Sequence, residues 1–267
     1  MALRSIDLLA APAQAPADTQ LAIATTYAAM NANHRKWQDY KVPGGRPFPG
    51  LHPRYGTPCT AIPQLLSNTS KMPCPSWGLP AGKACPGAKY GEGTICGQCY
   101  ASKGNYGVPM VRHALEERFR WTLALMKSAE GQDAFVAYMT RAIESIGSPY
   151  FRVHDSGDLF SPAYIRCWQR IARNLSHIRF WFPTRSYRIL NLLAPIQELA
   201  AAPNVTIRPS ALMLDAAPPV IPGLAAGSGA TYSQDDATCP AYRQNGECRD
   251  CRHCWDNASV PVLYPLH

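Results

Sequence analysis

The chain has 267 residues, with 26 Lys+Arg against 18 Asp+Glu for a formal charge of +8, and 46% hydrophobic against 16% charged residues. That balance supports a core and excludes a disordered charged tail, and no run approaches the ~18 apolar residues of a membrane helix. The length admits one large domain or two small ones, and the positive charge points to a polyanionic partner, DNA, RNA or a nucleotide, against the plainer reading of a solvated basic surface.

Residues 1–50 read as an extension, Ala/Pro-rich at first, with one expected helix near Leu21–Asn31 and then a turn-rich stretch. Asp7 and Pro12 interrupt an already short apolar start, so no secretory leader is expected there. Residues 51–108 carry Cys59, Cys74, Cys85, Cys96 and Cys99 among many Pro and Gly, a texture that wraps around something rather than forming regular elements. Helical spacing then appears in Val111, Leu115, Phe119, Thr122 and Met126, with Pro109 suited to a first turn. A second helix is expected from about Gln132–Asp133 to Gly147. Strands at 150–155, 178–183 and 204–210 alternate with helices at 161–175, capped by Ser161 and Pro162, and at 187–201, interrupted by Pro195. Repeated β-α-β with short connections predicts an α/β fold, a parallel sheet with helices packed outside it, either open or curled as a partial (β/α) barrel. The organisation expected is an extension (1–50), a (β/α) core carrying the first Cys group (51–234) and a C-terminal Cys-rich segment (235–267).

Ten cysteines are many for a reducing compartment, and seven of them fall into two tight groups. Cys85-x10-Cys96-x2-Cys99 offers three thiolates, enough to hold three irons of a [4Fe–4S] cube and leave the fourth open, unless Cys74 or Cys59 completes the set. Cys239-x8-Cys248-x2-Cys251-x2-Cys254 overlaps its C-x2-C steps as ferredoxin-type ligation does. Zinc is the rival there, although structural zinc sites pair two separated knuckles; His253 and His267 are further candidate ligands. Cys167, inside a helix beside Trp168, reads as core.

In such folds, reactive groups collect at the carboxyl ends of the strands. Three ends are legible: His154-Asp155-Ser156-Gly157-Asp158, Pro183-Thr184-Arg185-Ser186 and Arg208-Pro209-Ser210. Carboxylates at one end and guanidinium and hydroxyl groups at the others suit a polar ligand carrying hydroxyls and a carboxylate or phosphate. The plainer reading makes Asp155 and Asp158 caps of the following helix and His154 a core histidine.

The segments "LPAGKACPGA", "CYA" ending at Ala101, "FRVHDSGDLFS", "FWFPTRS" and the closing "C-x2-C-x2-CW…YPLH" together resemble the bacteriophage gene product 88 family from about residue 57 to the C-terminus. More distantly, "C-x2-CYA", "DLF" after a strand and "F-x-P-T-R-S" after the next are similar to phage-type radical S-adenosylmethionine proteins. That resemblance implies a partial (β/α) barrel and a [4Fe–4S] cluster on Cys85, Cys96 and Cys99. It also implies that Tyr100 lies beside the adenine of S-adenosylmethionine, that Asp155, Asp158 and Arg185 face cofactor or substrate, and that Cys239, Cys248, Cys251 and Cys254 hold an auxiliary cluster; the strand-end reading adds Ser156, Ser186 and Arg208 as candidate cofactor contacts. The x10 gap is longer than the superfamily's common x3, and no Gly-Gly-Glu segment of the kind that grips the methionine amine is present.

Three functions compete on this reading. The first is a radical S-adenosylmethionine enzyme acting on a nucleotide, base or nucleic acid in the cytoplasm of an infected bacterial host. The second is a base-exchange transglycosylase with an Asp nucleophile and a zinc knuckle, suggested by the Asp-Ser-Gly of "HDSGD". The third is a cluster-stabilised nucleic-acid-binding protein without catalysis.

Overall fold

Alternation along a strand decides which face of a sheet each side chain meets, and here it divides the molecule into two differently covered sides. The computed structural model describes residues 65–67, 69, 72–256 and 258–266; the extension with its expected helix, Cys59 and His267 lie outside them. Four strands, β1 (Ser76–Trp77), β2 (Tyr150–Val153), β3 (Arg179–Thr184) and β4 (Val205–Pro209), pair in parallel in the order β1-β2-β3-β4. The expected parallel α/β sheet is present. The described residues show it as four strands, without the closure of a barrel.

Register aligns Phe151 with Phe180 and Val205, and Phe182 with Ile207. These apolar residues are buried on one face with helices α1 (Pro109–Leu125), α2 (Ala129–Glu144), α3 (Pro162–Asn174) and α4 (Leu190–Ala200). Phe135, Trp168 and Tyr164 form the centre of that side, with Phe135 edge-to-face to Trp77 at 6.0 Å and to Trp168 at 6.1 Å. The opposite face carries Tyr150, Arg152, Trp181, Thr206 and Arg208, brought into line by Arg152↔Trp181↔Thr206 pairing.

That second face is covered by the C-terminal segment rather than by a helical layer. Trp255, in the short helix α5 (His253–Asp256), lies 5.5 Å from Tyr150 and 5.3 Å from Trp181. Its indole Nε1 donates to Phe151 O at 3.0 Å, and Thr206 Oγ1 donates to Trp255 O at 2.7 Å. Beyond β4, a bridge from Ser210 to Ser228 leads to β5 (Ser228–Thr231), which pairs in parallel with β6 (Val262–Pro265).

Several local expectations hold. Pro109 and Pro162 open α1 and α3, and Ser161 Oγ accepts from Tyr164 N at 3.3 Å. Others shift. Helix α2 starts earlier than Gln132, at Ala129, because Ser128 Oγ accepts the Gly131 N–H at 3.0 Å and supplies the cap. The strand read as 150–155 ends at Val153, since His154 adopts a left-handed φ of 70° that an extended ladder does not accommodate. The buried stripe of α1 runs through Leu115, Arg118, Trp121, Thr122 and Leu125, leaving Val111 and Phe119 at its margin. Strands β1 and β5 lie in stretches whose Pro and Gly content hid them. Among the described residues, no helix is long and apolar enough to cross a membrane.

Candidate functional site

The loop carrying Cys85 is fastened to the carboxyl ends of β2 and β3 by main-chain and side-chain bonds. Leu79 N donates to Ser156 O at 2.9 Å, Ser156 Oγ donates to Leu79 O at 2.7 Å, and Asp158 N donates to Ala84 O at 2.8 Å. Arg188 Nη1 donates to Gly87 O at 3.2 Å. The approach is so close that only glycine fits at two points. A Cβ on Gly78 would sit 2.0 Å from Asp155 Oδ1, and one on Gly87 would sit 2.1 Å from Arg185 O.

This packing sets Cys85, Cys96 and Cys99, all part-buried, within electrostatic reach of one another. Burial, with the negative charge of Asp158 and the neighbouring thiols, pushes the Cys85 thiol up to about 12, and burial raises Cys99 as well. Such thiols stay protonated by themselves; a bound cation is what holds them as thiolates. Arg185 and Lys103 bring positive charge toward Cys99.

The sequence-predicted residues around this group separate by what their polar atoms already hold. Asp155, buried, accepts from Ser156 N at 3.0 Å and from the Tyr106 hydroxyl at 3.1 Å. Its carbonyl accepts a hydrogen bond from the Tyr100 hydroxyl, and Tyr100 as a residue is half-exposed. Asp158 is fully engaged in joining two loops: Thr184 Oγ1 donates to it at 2.6 Å, Leu159 N at 2.7 Å and Arg185 N at 2.8 Å. It caps no helix, since Ser161 does that, and its geometry is that of a strut between β2 and β3. Burial raises its pKa against the lowering by these three donors. Arg185 Nε donates to Ala211 O at 2.9 Å, and Ser186 is buried with its hydroxyl unpartnered among the described residues.

Arg208 departs from its expected place. Its side chain lies on the far face of the sheet, donating to the carbonyls of Ala226, Val260 and His253 at 2.8 Å each and of Cys254 at 3.3 Å. A guanidinium spent on Ala226 and on three carbonyls of the covering segment clamps that segment down and does not meet a ligand beside Cys85. His154 is likewise structural. Its Nε2 lies 3.0 Å from the Tyr164 hydroxyl, which accepts from Trp77 Nε1 at 2.7 Å. Burial and the charge of Arg152 push the imidazole down to about 3, so it is neutral.

Under the C-terminal segment, Cys239, Cys248, Cys251 and Cys254 line one cavity, with about 370 Å³ of empty space including its open mouth. Burial raises the thiols of Cys239, Cys248 and Cys254, the last to about 11. Cys74 belongs here and not with the first group: it is buried with Trp181 and Trp255 and packs near Cys254. Four thiols lining a shared space are the donor type that thiophilic metals and clusters take. Four thiolates on one zinc ion stand ~3.8 Å apart, from Zn–S bonds of ~2.3 Å. Among the described residues, no group of three or more His, Cys, Asp or Glu is gathered closely enough to hold a single metal ion.

Sequence reasoning passed over Arg152, Tyr106, Gly78 and Gly87. The signal for Arg152 was present: a charged residue in the middle of a four-residue strand that pairs on both sides.

Residues 57–257 match the family described as Gene product 88. The chain is 32% identical over 120 residues to the Gene 88 protein of Mycobacterium phage D29 and, equally, to that of Mycobacterium phage L5. Each alignment covers 41% of this chain and 47% of the relative, so the matched stretch spans about half the length of these curated relatives. No solved structure matches. With the family's pattern running through the Cys85 loop, all four strands of the parallel sheet and the C-terminal cysteines alike, the chain belongs to the Gene product 88 family.

Proposed function

We propose that this protein is an iron–sulfur enzyme of radical S-adenosylmethionine type, acting on a nucleotide, base or nucleic acid in the cytoplasm of an infected bacterial host. The observation that carries the reading is the fastening of the Cys85 loop to the carboxyl ends of β2 and β3, where α/β folds place their ligands, with Tyr100, the neighbour of Cys99, bonded to the Asp155 carbonyl there. Those three thiols would hold a [4Fe–4S] cluster with one open iron, and Cys239, Cys248, Cys251 and Cys254 an auxiliary one. Such a cluster, when reduced, supplies the electron that cleaves the sulfonium of S-adenosylmethionine.

The chain's own contribution is placement and exclusion of water. Asp158 holds the Cys85 loop on β3, the half-exposed Tyr100 beside Cys99 offers a ring for a heterocycle, and Arg185 supplies positive charge for a carboxylate or phosphate. The curled, partial-barrel form of the sheet belongs to this proposal too. Its support is the sequential parallel order and the covering of the sheet's second face by the C-terminal segment.

Protein purified without oxygen and supplied with iron and sulfide should turn brown, with broad absorbance near ~400 nm. Added dithionite and S-adenosylmethionine should then yield 5′-deoxyadenosine, and Cys99→Ala should abolish that product. Colourless protein with zinc at both groups refutes the reading. If iron is absent and Asp155→Ala alone removes base exchange on a polynucleotide, the transglycosylase alternative replaces it. Iron uptake with oligonucleotide binding and no turnover leaves the non-catalytic alternative.

A further inference from the structure

Arg152 stands on the sheet between Tyr100, the neighbour of Cys99, and the cluster that holds Cys74 and Cys254. It projects from β2 onto the face covered by the C-terminal segment, with its guanidinium 4.7 Å from the centre of the Trp181 ring. Nη2 donates to the Tyr100 hydroxyl at 3.0 Å, in the residue that follows Cys99. Nη1 lies 3.2 Å from Met72 Sδ. On the other side, the Trp181 and Met72 that it touches pack in one cluster with Cys74, Trp255 and Cys254.

Among the described residues no carboxylate is bonded to this guanidinium, and the buried Asp155 acts on it only at longer range. Among the described residues Arg152 enters no salt bridge, and its Nε is buried without a hydrogen-bond partner. A guanidinium held against aromatic rings and a thioether is costly unless an anion lies near. The ionisable groups around it are Asp155 with Tyr100, Tyr106 and Tyr264, and, past its contacts with Trp181 and Met72, the thiols of Cys74 and Cys254.

Resting on the cluster reading above, we infer that Arg152 is a positioning residue that joins the two thiol sites. It holds Tyr100 in place beside the first group and supplies the positive charge against which the C-terminal thiols carry an anionic centre. Reduction adds negative charge to such a centre, so a fixed cation nearby favours the reduced form. Removing the cation therefore makes the centre harder to reduce. Arg152→Lys keeps the charge and loses the planar guanidinium that reaches Tyr100 and Met72 together.

The test uses the full chain carrying Cys96→Ala and Cys99→Ala, so that only the C-terminal site binds iron, reconstituted with iron and sulfide under anaerobic conditions. Iron content and midpoint potential, followed by EPR during dithionite titration, are compared for Arg152, Arg152→Lys and Arg152→Met. Arg152→Met should shift the one-electron equilibrium at least tenfold toward the oxidised form, ~59 mV more negative, and Arg152→Lys should stay near the parent. Loss of iron uptake in Arg152→Met, restored by Arg152→Lys with helical content unchanged, supports the same role. Equal potentials in all three proteins overturn the inference while leaving the clusters in place. A parent that takes up no iron at this site overturns the cluster reading, and this inference with it.

Discussion

Arg208→Met removes the fork that fixes the C-terminal segment to β4. Four main-chain carbonyls, those of Ala226, His253, Cys254 and Val260, lose a charged donor at once. A hydrogen bond to a charged group contributes ~1.5–3 kcal/mol, and an acceptor left buried without one costs ~1–3 kcal/mol. Four such bonds would sum past any measured single substitution, because the freed segment relaxes and water replaces part of what is lost. The expected cost is about 3–5 kcal/mol, the range for breaking a buried charged network. Arg208→Lys retains the charge and up to three donors but not the planar fork, and should lose roughly half as much. Urea unfolding followed by tryptophan fluorescence reports the total, since Trp255 and Trp181 sit at this contact. Amide exchange should localise the change to residues 253–262, whose protection collapses before that of the helical face. A loss below about 1 kcal/mol, with those amides still protected, would refute the clamp.

Gly87→Ala places a methyl 2.1 Å from the Arg185 carbonyl, so the Cys85 loop must lift from β3. The expected cost is ~1–3 kcal/mol in thermal unfolding, with faster alkylation of Cys85, whereas Gly107→Ala, which meets open space, should be neutral in both assays. His154 makes a pH prediction. Its folded pKa of about 3 lies below the unfolded value of ~6.5. Its contribution is therefore fully present above ~6.5 and is lost as pH falls toward the folded value, at ~1.4 kcal/mol per pH unit. His154→Gln should flatten the acid limb of the stability profile by that slope; identical slopes in the two proteins would show that the imidazole is not buried neutral.

The sequence by itself determined the elements that rest on local chemistry. Ser161-Pro162 fixes the start of α3 because its cap bond and preset φ need nothing from elsewhere in the chain. The alternation of β2, α3, β3, α4 and β4 follows from periodicity, and the two thiol groups are legible in spacing alone. What only the tertiary structure decided is which partner each polar atom meets. Asp155 and Asp158 are three residues apart in one loop, yet one faces tyrosines beside Cys99 and the other braces Thr184 and Arg185. Arg185 and Arg208 read alike as basic residues at strand ends, and Arg152 as one more charge inside a strand. Alternation puts Arg152 and Arg208 on one face, but nothing local reveals that residues 253–262 cover it, nor that Cys74 joins the C-terminal group across more than 160 positions. Such contacts are set by the summed burial of both sheet faces, a property that no window of neighbouring residues contains.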